Sequence, residues 1–413
     1  MQFNGNEPDL SPADLRGGDR SGLRQYNERV IMHVIRRAGG LPKAEIARMI
    51  GLSPQAVSVN VNRMLAEGLL VKTTRLKGKV GHPSTVIQLN REGAFAVGVS
   101  IGRRSLDILR MDLDGGISRR VRHTYKYPVP SFIFREIARG IDFVCEELTP
   151  AQRKRLKGIG IAAPSGLEGW AEELEAPPEK LAEWRDIDVA AQVSTLTSLP
   201  VHFMNDVAAG TAAELALGSA VTADHCLYIY IGTFVGGGLI LDGQLNTGTR
   251  SNACAIGSLP VSGIHDMKDG RKPEQLIRRA SLIFLERELE TAGFDLEHLW
   301  DPKGPAPEAA AIYETWQTEA VETLAYAIGS AISIFDFPLV VIDGSLPGHE
   351  VARFVQRTDQ ALDRLNLTGL IRPRLAVGTL GTDASVIGAG LMPINANFAP
   401  DRALMLKLAI EAA

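Results

Sequence analysis

From Leu23 onward the apolar residues Val30, Ile31, Val34 and Ile35 recur with helical period, and the run stops at Gly39-Gly40. That spacing predicts an amphipathic helix closed by glycine. A short helix follows from 42 or 43 to 50, burying Ile46 and either Met49 or Ile50, and Gly51 supplies the next turn. Ser53 is a good N-cap and Pro54 suits a first helical position, so 55–67 forms a third helix. Val57, Val61, Met64 and Leu65 give it a buried stripe. After Gly68 the period becomes that of strands. Segments 69–73 and 85–89 pair around a loop holding Lys77, Gly78, Lys79, Gly81, His82 and Pro83. Three helices and a β-hairpin in this order make a winged helix-turn-helix over residues 20–90. Residues 1–19, rich in Asp, Gly and Pro, read as a flexible arm.

From Phe95 strands, glycine turns and helices alternate. Segments 96–99 and 106–112 form a hairpin ending at Asp114-Gly115-Gly116, 131–148 is helical, and 158–162 is a short buried strand running into AAPSG. A second unit begins with a strand at 201–204, a helix at 206–217 and a strand at 226–231, after which GTFVGGGLILDG makes a turn and another strand. Helices at 273–292 and 308–335 and a strand at 339–342 complete the pattern. The alternation predicts an α/β body.

The 413 residues exceed one compact core and suit two or three domains. A hydrophobic share of 45% with 22% charged residues describes a soluble globular chain. Cys145, Cys226 and Cys254 lie too far apart for a disulfide framework or a CxxC metal pattern, which fits a reducing cytoplasm. No positive-then-apolar leader opens the sequence, and no stretch reaches the roughly eighteen apolar residues of a span, so no membrane is expected as a partner.

Charge separates the two parts. Residues 20–91 hold thirteen Lys and Arg against Glu28, Glu45 and Glu67, a balance of +10; residues 1–19 carry −3, which leaves −11 on 92–413 from a net −4. A basic module on an acidic body points to double-stranded DNA as partner of the module alone, with a solvated basic face or a protein–protein module as alternatives. On DNA the N-terminal half of the third helix, from Ser53, enters a major groove. Gln55 and Ser58 read base edges, while Lys43, Asn60, Asn62 and Arg63 divide between bases and phosphates. Lys77 and Lys79 lie along phosphates, and the Gly-His-Pro tip with His82 approaches a minor groove.

The segments LRQYNERVIMHVIRRAG, GIGIAAPSG, PVHFMNDVAAGTAAE, GTFVGGGLILDG and GTLGTDASVIGAGLMPI, in this order across 22–395, resemble the ROK family (repressors, open reading frames and sugar kinases) in its repressor branch. The resemblance implies a winged helix-turn-helix joined to a two-lobed, actin-like, sugar-kinase-like domain, with 91–205 and 395–413 in the first lobe and 206–394 in the second. It further implies a transcriptional repressor of carbohydrate-related genes, acting as a homodimer or higher oligomer on a palindromic operator and answering to a sugar-like effector. A sugar kinase with an appended DNA-binding domain, or a constitutive DNA-binding or interaction protein, are the alternatives.

Departures from the family pattern decide the enzymatic expectation. Family kinases open the domain with an Asp-x-Gly-Gly-Thr loop, where this chain has Ser100-Ile101-Gly102-Arg103-Arg104-Ser105. Bulky arginines attract phosphate but do not allow the close backbone approach of glycine. Asn205-Asp206 matches the family pair in which Asn contacts sugar and Asp is the base; it equally suits a helix cap. The family's Gly-Glu-Ile-Gly-His is here Cys254-Ala255-Ile256-Gly257-Ser258, which removes the Glu and His of sugar recognition and the His of the family zinc site. SLPVSGIHDMKDGRKPEQL has no cysteine, and His265-Asp266 is too little for a metal site. The expectation is retained sugar contact at Asn205 and Asp206, without catalysis, cofactor or metal.

Overall fold

The head follows from its caps. Helix α1 (Arg20–Ala38), strand β1 (Leu41–Pro42), helices α2 (Lys43–Ile50) and α3 (Pro54–Ala66), and strands β2 (Leu70–Thr74) and β3 (Thr85–Leu89) run in sequence. Gly51, at φ 69°, closes α2, and the Ser53 hydroxyl accepts from the Ala56 N–H at 3.2 Å to start α3. Ile31, Ile35, Ile46, Val57, Val61 and Met64 meet in one core. This computed structural model describes residues 20–74, 85–261, 273–300 and 304–400. The expected arm at 1–19, the wing-loop residues Lys77, Lys79 and His82, the pair His265-Asp266, and 401–413 lie outside the described residues.

The structure refines the reading of the head at two points. The expected hairpin forms, β2 antiparallel to β3, and β1 pairs antiparallel with β3, Leu41 opposite Ile87, extending it to a three-stranded sheet ordered β1-β3-β2. Helix α2 buries Ile46 and Ala47, while Met49 is 55% exposed. At 100° per residue the buried arc runs from 46 through 50 to 47, and 49 falls outside it.

The body contains two five-stranded sheets with one topology. Strands β4 (Phe95–Ile101), β5 (Ser105–Asp112) and β6 (Ile117–Thr124), helix α4 (Pro130–Cys145), and strands β7 (Leu156–Ala163) and β8 (Val201–Asn205) build the first. After helix α5 (Asp206–Leu217), strands β9 (Cys226–Ile231), β10 (Val235–Leu241) and β11 (Gln244–Asn246), helices α6 (Leu282–Thr291) and α7 (Pro307–Ile332), strand β12 (Leu339–Gly344), helix α8 (Gly348–Leu362) and strand β13 (Arg374–Val377) build the second. The orders β6-β5-β4-β7-β8 and β11-β10-β9-β12-β13 are each an antiparallel meander followed by two parallel strands. Strand β6 escaped the periodicity because ISRRVRHT is a charged edge strand, half or fully exposed throughout. The helix expected over 273–292 is broken at Ser281, whose buried hydroxyl accepts from the Val235 N–H at 2.9 Å. A short helix, Leu276–Ala280, precedes the break.

Two helices cross between the sheets. Helix α5 leaves the first sheet but lies against β10; the last helix, α9 (Ala384–Phe398), leaves the second sheet but lies against β4 and β7. The chain thus rejoins the first sheet at 384, whereas the sequence places the return at 395. A Cβ on Gly160 would stand 1.9 Å from the Ala389 carbonyl oxygen, and one on Gly388 would stand 1.9 Å from that of Ala209. Only glycine permits these approaches. Buried Glu214, at the end of α5, accepts from the Thr379 and Leu380 N–H groups at 2.7 and 3.0 Å, and so fixes the turn that launches α9.

The head rests on the far end of α9. Ile394 is buried in the head's core together with Ala94, Ala96 and Leu113, and Phe398 packs against it. Arg29 and Arg36 of α1 donate to the carbonyls of Ala399 at 3.2 Å and Leu113 at 2.8 Å. Arg37 reaches the other lobe, donating to the Val221 carbonyl at 2.8 Å.

We predict that Gly160→Ala, by driving α9 off its sheet, lowers unfolding free energy by about 1–3 kcal/mol or more. Gly22→Ala in α1, with nothing within 4 Å of the added methyl, is the control and gains up to about 1 kcal/mol. Thermal unfolding of both variants measures the difference; a neutral Gly160→Ala would mean that α9 is not seated as described.

Candidate ligand cleft and nucleic-acid interface

On α3, Val57, Asn60, Val61 and Met64 face inward. Gln55, Val59 and Asn62 are exposed and Ser58 is half-buried, all on the opposite face. Lys43, at the start of α2, donates to Asn62 Oδ1 at 2.7 Å and to Ser58 Oγ at 3.3 Å. Asn60 is turned into the head, its amide donating to the Ala56 carbonyl at 2.9 Å. Arg63 points at α1, paired with Glu28, and lies 3.7 Å from Glu67. The structure therefore gathers Lys43, Gln55, Ser58 and Asn62 on one surface, gives Ser53 a capping bond, and separates Asn60 and Arg63 from that surface. Val59, which the polar pattern passes over, is 65% exposed among them.

The cleft lies where equivalent turns of the two lobes converge. The β4–β5 turn brings Arg103 and Arg104, the β8–α5 junction brings Asn205 and Asp206, and the β9–β10 turn brings Thr233 and Phe234. Asn205 is the N-cap of α5, its Oδ1 accepting from the N–H groups of Val207 and Ala208 at 3.1 and 3.3 Å. One carboxylate oxygen of Asp206 accepts from Val207 at 3.0 Å, and the other stands 3.5 Å from the Arg103 guanidinium.

Arg103 divides the cleft. Its guanidinium lies 4.6 Å from the centre of the Phe234 ring and 6.0 Å from that of Trp170. One cavity beyond it is lined by Ser100, Arg122, Tyr230, Ser345 and Ser385; the other by Asn205, Asn246, Asn252, Ala255 and Ser258. Burial pushes the Arg103 pKa down while Asp206 opposes the shift. Ser100, at the position where family kinases carry an acid, shares a 2.9 Å hydroxyl contact with Ser385 at the base of α9.

Arg103 and Arg104, which the sequence offers to a phosphate, both have carboxylate partners, and so do Arg120 and Arg122 on the neighbouring edge strand. Arg104 stands 3.4 Å from Glu286 of α6. Arg122 donates to Asp107 at 2.5 Å, and Arg120 holds both oxygens of Asp383 at 2.9 Å. Asp383 immediately precedes α9, so this cluster joins the edge of the first sheet to the turn that starts the helix. Ala255 and Ser258 are exposed on the other cavity, and Cys254 is half-buried at φ 61°. Among the described residues no group of three or more His, Cys, Asp or Glu could hold a metal ion, and no helix is long and apolar enough to cross a membrane.

A winged head seated on two lobes of repeated topology, with a cleft between them, defines an α/β chain of the sugar-kinase-like, actin-like fold. Residues 96–274 match the ROK family model and residues 26–77 that of the MarR family. An uncharacterised protein, y4fQ, from Sinorhizobium fredii is 28% identical over 374 residues, covering 89% of this chain and 90% of that protein. The xylose repressor of Bacillus subtilis is 24% identical over 245 residues, 59% of this chain and 62% of the repressor. A crystal structure described as a ROK family transcriptional regulator, homologous to the E. coli MLC protein, superposes with a TM-score of 0.66 at 18% identity, covering 94% of this chain and all of that one.

One buried acid beneath the cleft yields a pH prediction. Asp343, at the end of β12, accepts from the Tyr228 hydroxyl at 3.2 Å and from the Gly344 and Gly381 N–H groups at 2.8 and 3.0 Å. Burial outweighs these bonds and pushes its pKa up to about 6 from an ordinary 3.8. The folded state thus holds this proton more tightly than the unfolded chain. The stabilisation is full below pH 3.8 and is lost as pH rises through about 6. Between pH 4 and 7 the parent protein should lose stability relative to Asp343→Asn, as read by urea midpoints; parallel pH profiles would refute this assignment.

Proposed function

We propose that this chain is a sequence-specific repressor of carbohydrate-related genes that reads a palindromic operator as a homodimer. Its cleft takes a sugar or sugar derivative without phosphorylating it. The outward face of α3 carries the reading: Gln55, Ser58 and Asn62 stand clear of the head's core, beside Lys43, on a module of charge +10. Gln55 reads base edges, Lys43 and Asn62 reach bases and phosphates, and Ser53 sits where a helix N-terminus meets a phosphate. Asn60 and Arg63 act by bracing α3. Lys77, Lys79 and His82 supply the wing's contacts. The relatives named as xylose repressors support the carbohydrate link. Tyr326, Ile334 and Phe335, exposed around the end of α7, offer an apolar face for self-association.

Phosphoryl transfer needs an organised donor side and a free base. In this cleft Arg103 and Asp206 both line the donor cavity, and their ion pair engages the carboxylate that would serve as base. Sugar hydroxyls retain the Asn205 amide donors and the polar rim of the second cavity. Helix α9 connects the two ends of the mechanism, with Ser385 on the cleft and Ile394 in the head's core. Effector binding that changes the lobe angle thus acts on the head through α9 and through the Arg37 contact with Val221.

On DNA, Gln55→Ala should cost about 1–3 kcal/mol of discrimination between operator and unrelated duplex. Lys77→Ala or Lys79→Ala should weaken both complexes and reduce the salt slope by about one. Electrophoretic titration at several salt concentrations separates the cases, and equal loss on both DNAs for Gln55→Ala would remove its base-reading role.

In the cleft, the purified protein with hexoses, ATP and magnesium should show no turnover. Calorimetry should find weak binding of a sugar that Asn205→Ala abolishes. Robust phosphorylation that disappears in Asp206→Ala would restore the kinase reading.

A further inference from the structure

We propose that Val59 reads the 5-methyl group of a thymine, making it the apolar determinant of operator sequence. The inference rests on the reading of α3 as the helix that enters the major groove. It starts from a local inconsistency. An exposed mid-helix position favours Ala, Lys, Glu or Gln, and a β-branched apolar residue there costs helix propensity and leaves hydrocarbon in water. Val59 is nevertheless 65% exposed in the middle of a thirteen-residue helix whose neighbouring apolar residues Val57 and Val61 are fully buried. A conflict of this kind within an otherwise consistent element marks a functional position.

Its surroundings select the ligand. At 100° per residue, Gln55, Ser58, Val59 and Asn62 share one face of α3. Lys43 engages Ser58 and Asn62 from one side of that face. Gln55 and Val59, one turn apart, remain on the other side, and the Gln55 side chain makes no hydrogen bond among the described residues. The face therefore presents a free amide next to an isopropyl group, beside a lysine. The thymine methyl is the one apolar group that a DNA base pair displays in the major groove, and it lies beside hydrogen-bonding edges that an amide matches. The +10 charge of residues 20–91 supplies the attraction to the backbone, which carries no sequence information. A protein surface as partner would favour a wider apolar patch than a single valine ringed by polar groups.

The full-length chain is first used to select its preferred duplex from random-sequence DNA. Each thymine of the selected half-site is then replaced by uracil, in symmetric pairs. Uracil keeps every hydrogen-bonding group and lacks only the methyl. Burial of one methyl corresponds to about a fourfold change in affinity, so a symmetric pair amounts to about fifteenfold. One thymine position should show that loss with the parent protein. Val59→Ala, which favours the helix and preserves folding, should bind the selected duplex correspondingly more weakly and show less than about a twofold uracil effect at that position. Val59→Ile, which keeps the branched surface, should retain the uracil effect. If no position responds to uracil, or if Val59→Ala keeps the full response, the assignment to Val59 is overturned while operator binding stands. A selection that enriches no sequence overturns the DNA reading of α3, and this assignment with it.

Discussion

Seating α9 against the first sheet is the constraint on which the rest depends. Helix and sheet approach until backbone touches backbone, at Gly160 beneath Ala389, and the same helix meets α5 where Gly388 touches Ala209. Such contact excludes any side chain and allows almost no sliding, so α9 has one axial position. Its first turn then places Ser385 against Ser100 at the floor of the cleft, and its last turns place Ile394 and Phe398 in the head. Three acids hold the turn that launches it: Glu214 and Asp343 from within, and Asp383 through Arg120 and Arg122. None of these bonds is large alone. Together they tie the turn at the cleft to the helix that carries the head.

The cleft uses the same economy for a different end. In place of glycines that would admit phosphate closely, the β4–β5 turn carries two arginines, each spent on an acid across the cleft. Arg103 also lies over the Phe234 ring, which packs on Trp170, so its position is set by packing as well as by charge. A ligand competing for Asp206 meets an internal cation already in place.

Much of this was legible from local pattern. The Ser53-Pro54 start of α3, the wing strands and the alternation of the body depend on residues a few positions apart, which period and caps encode. What escaped depends on distant partners. Asn60 has the composition of a base-reading residue, but the helix turns it inward onto Ala56. Arg63 looks available until Glu28 is brought beside it by the packing of α1. Ser281 breaks a helix because its hydroxyl belongs to Val235 of another strand, and strand β6 hides because a charged edge has no apolar alternation. Asn205-Asp206 was recognisable as a pair; that Arg103 faces it was not, since the two stand a hundred residues apart in sequence and meet only through the fold.

The hydrogen bonds that carry the head on its body share one chemical trait. Arg29, Arg36, Arg37 and Arg155 all donate to main-chain carbonyls, those of Ala399, Leu113, Val221, Glu92 and Gly68. A carbonyl is present whatever side chain its residue bears. Over evolutionary time the acceptor side of this junction can therefore change its residues freely while the joint persists. A lineage can exchange one reading head for another, or let its pocket drift to a new metabolite, without rebuilding the hinge between them.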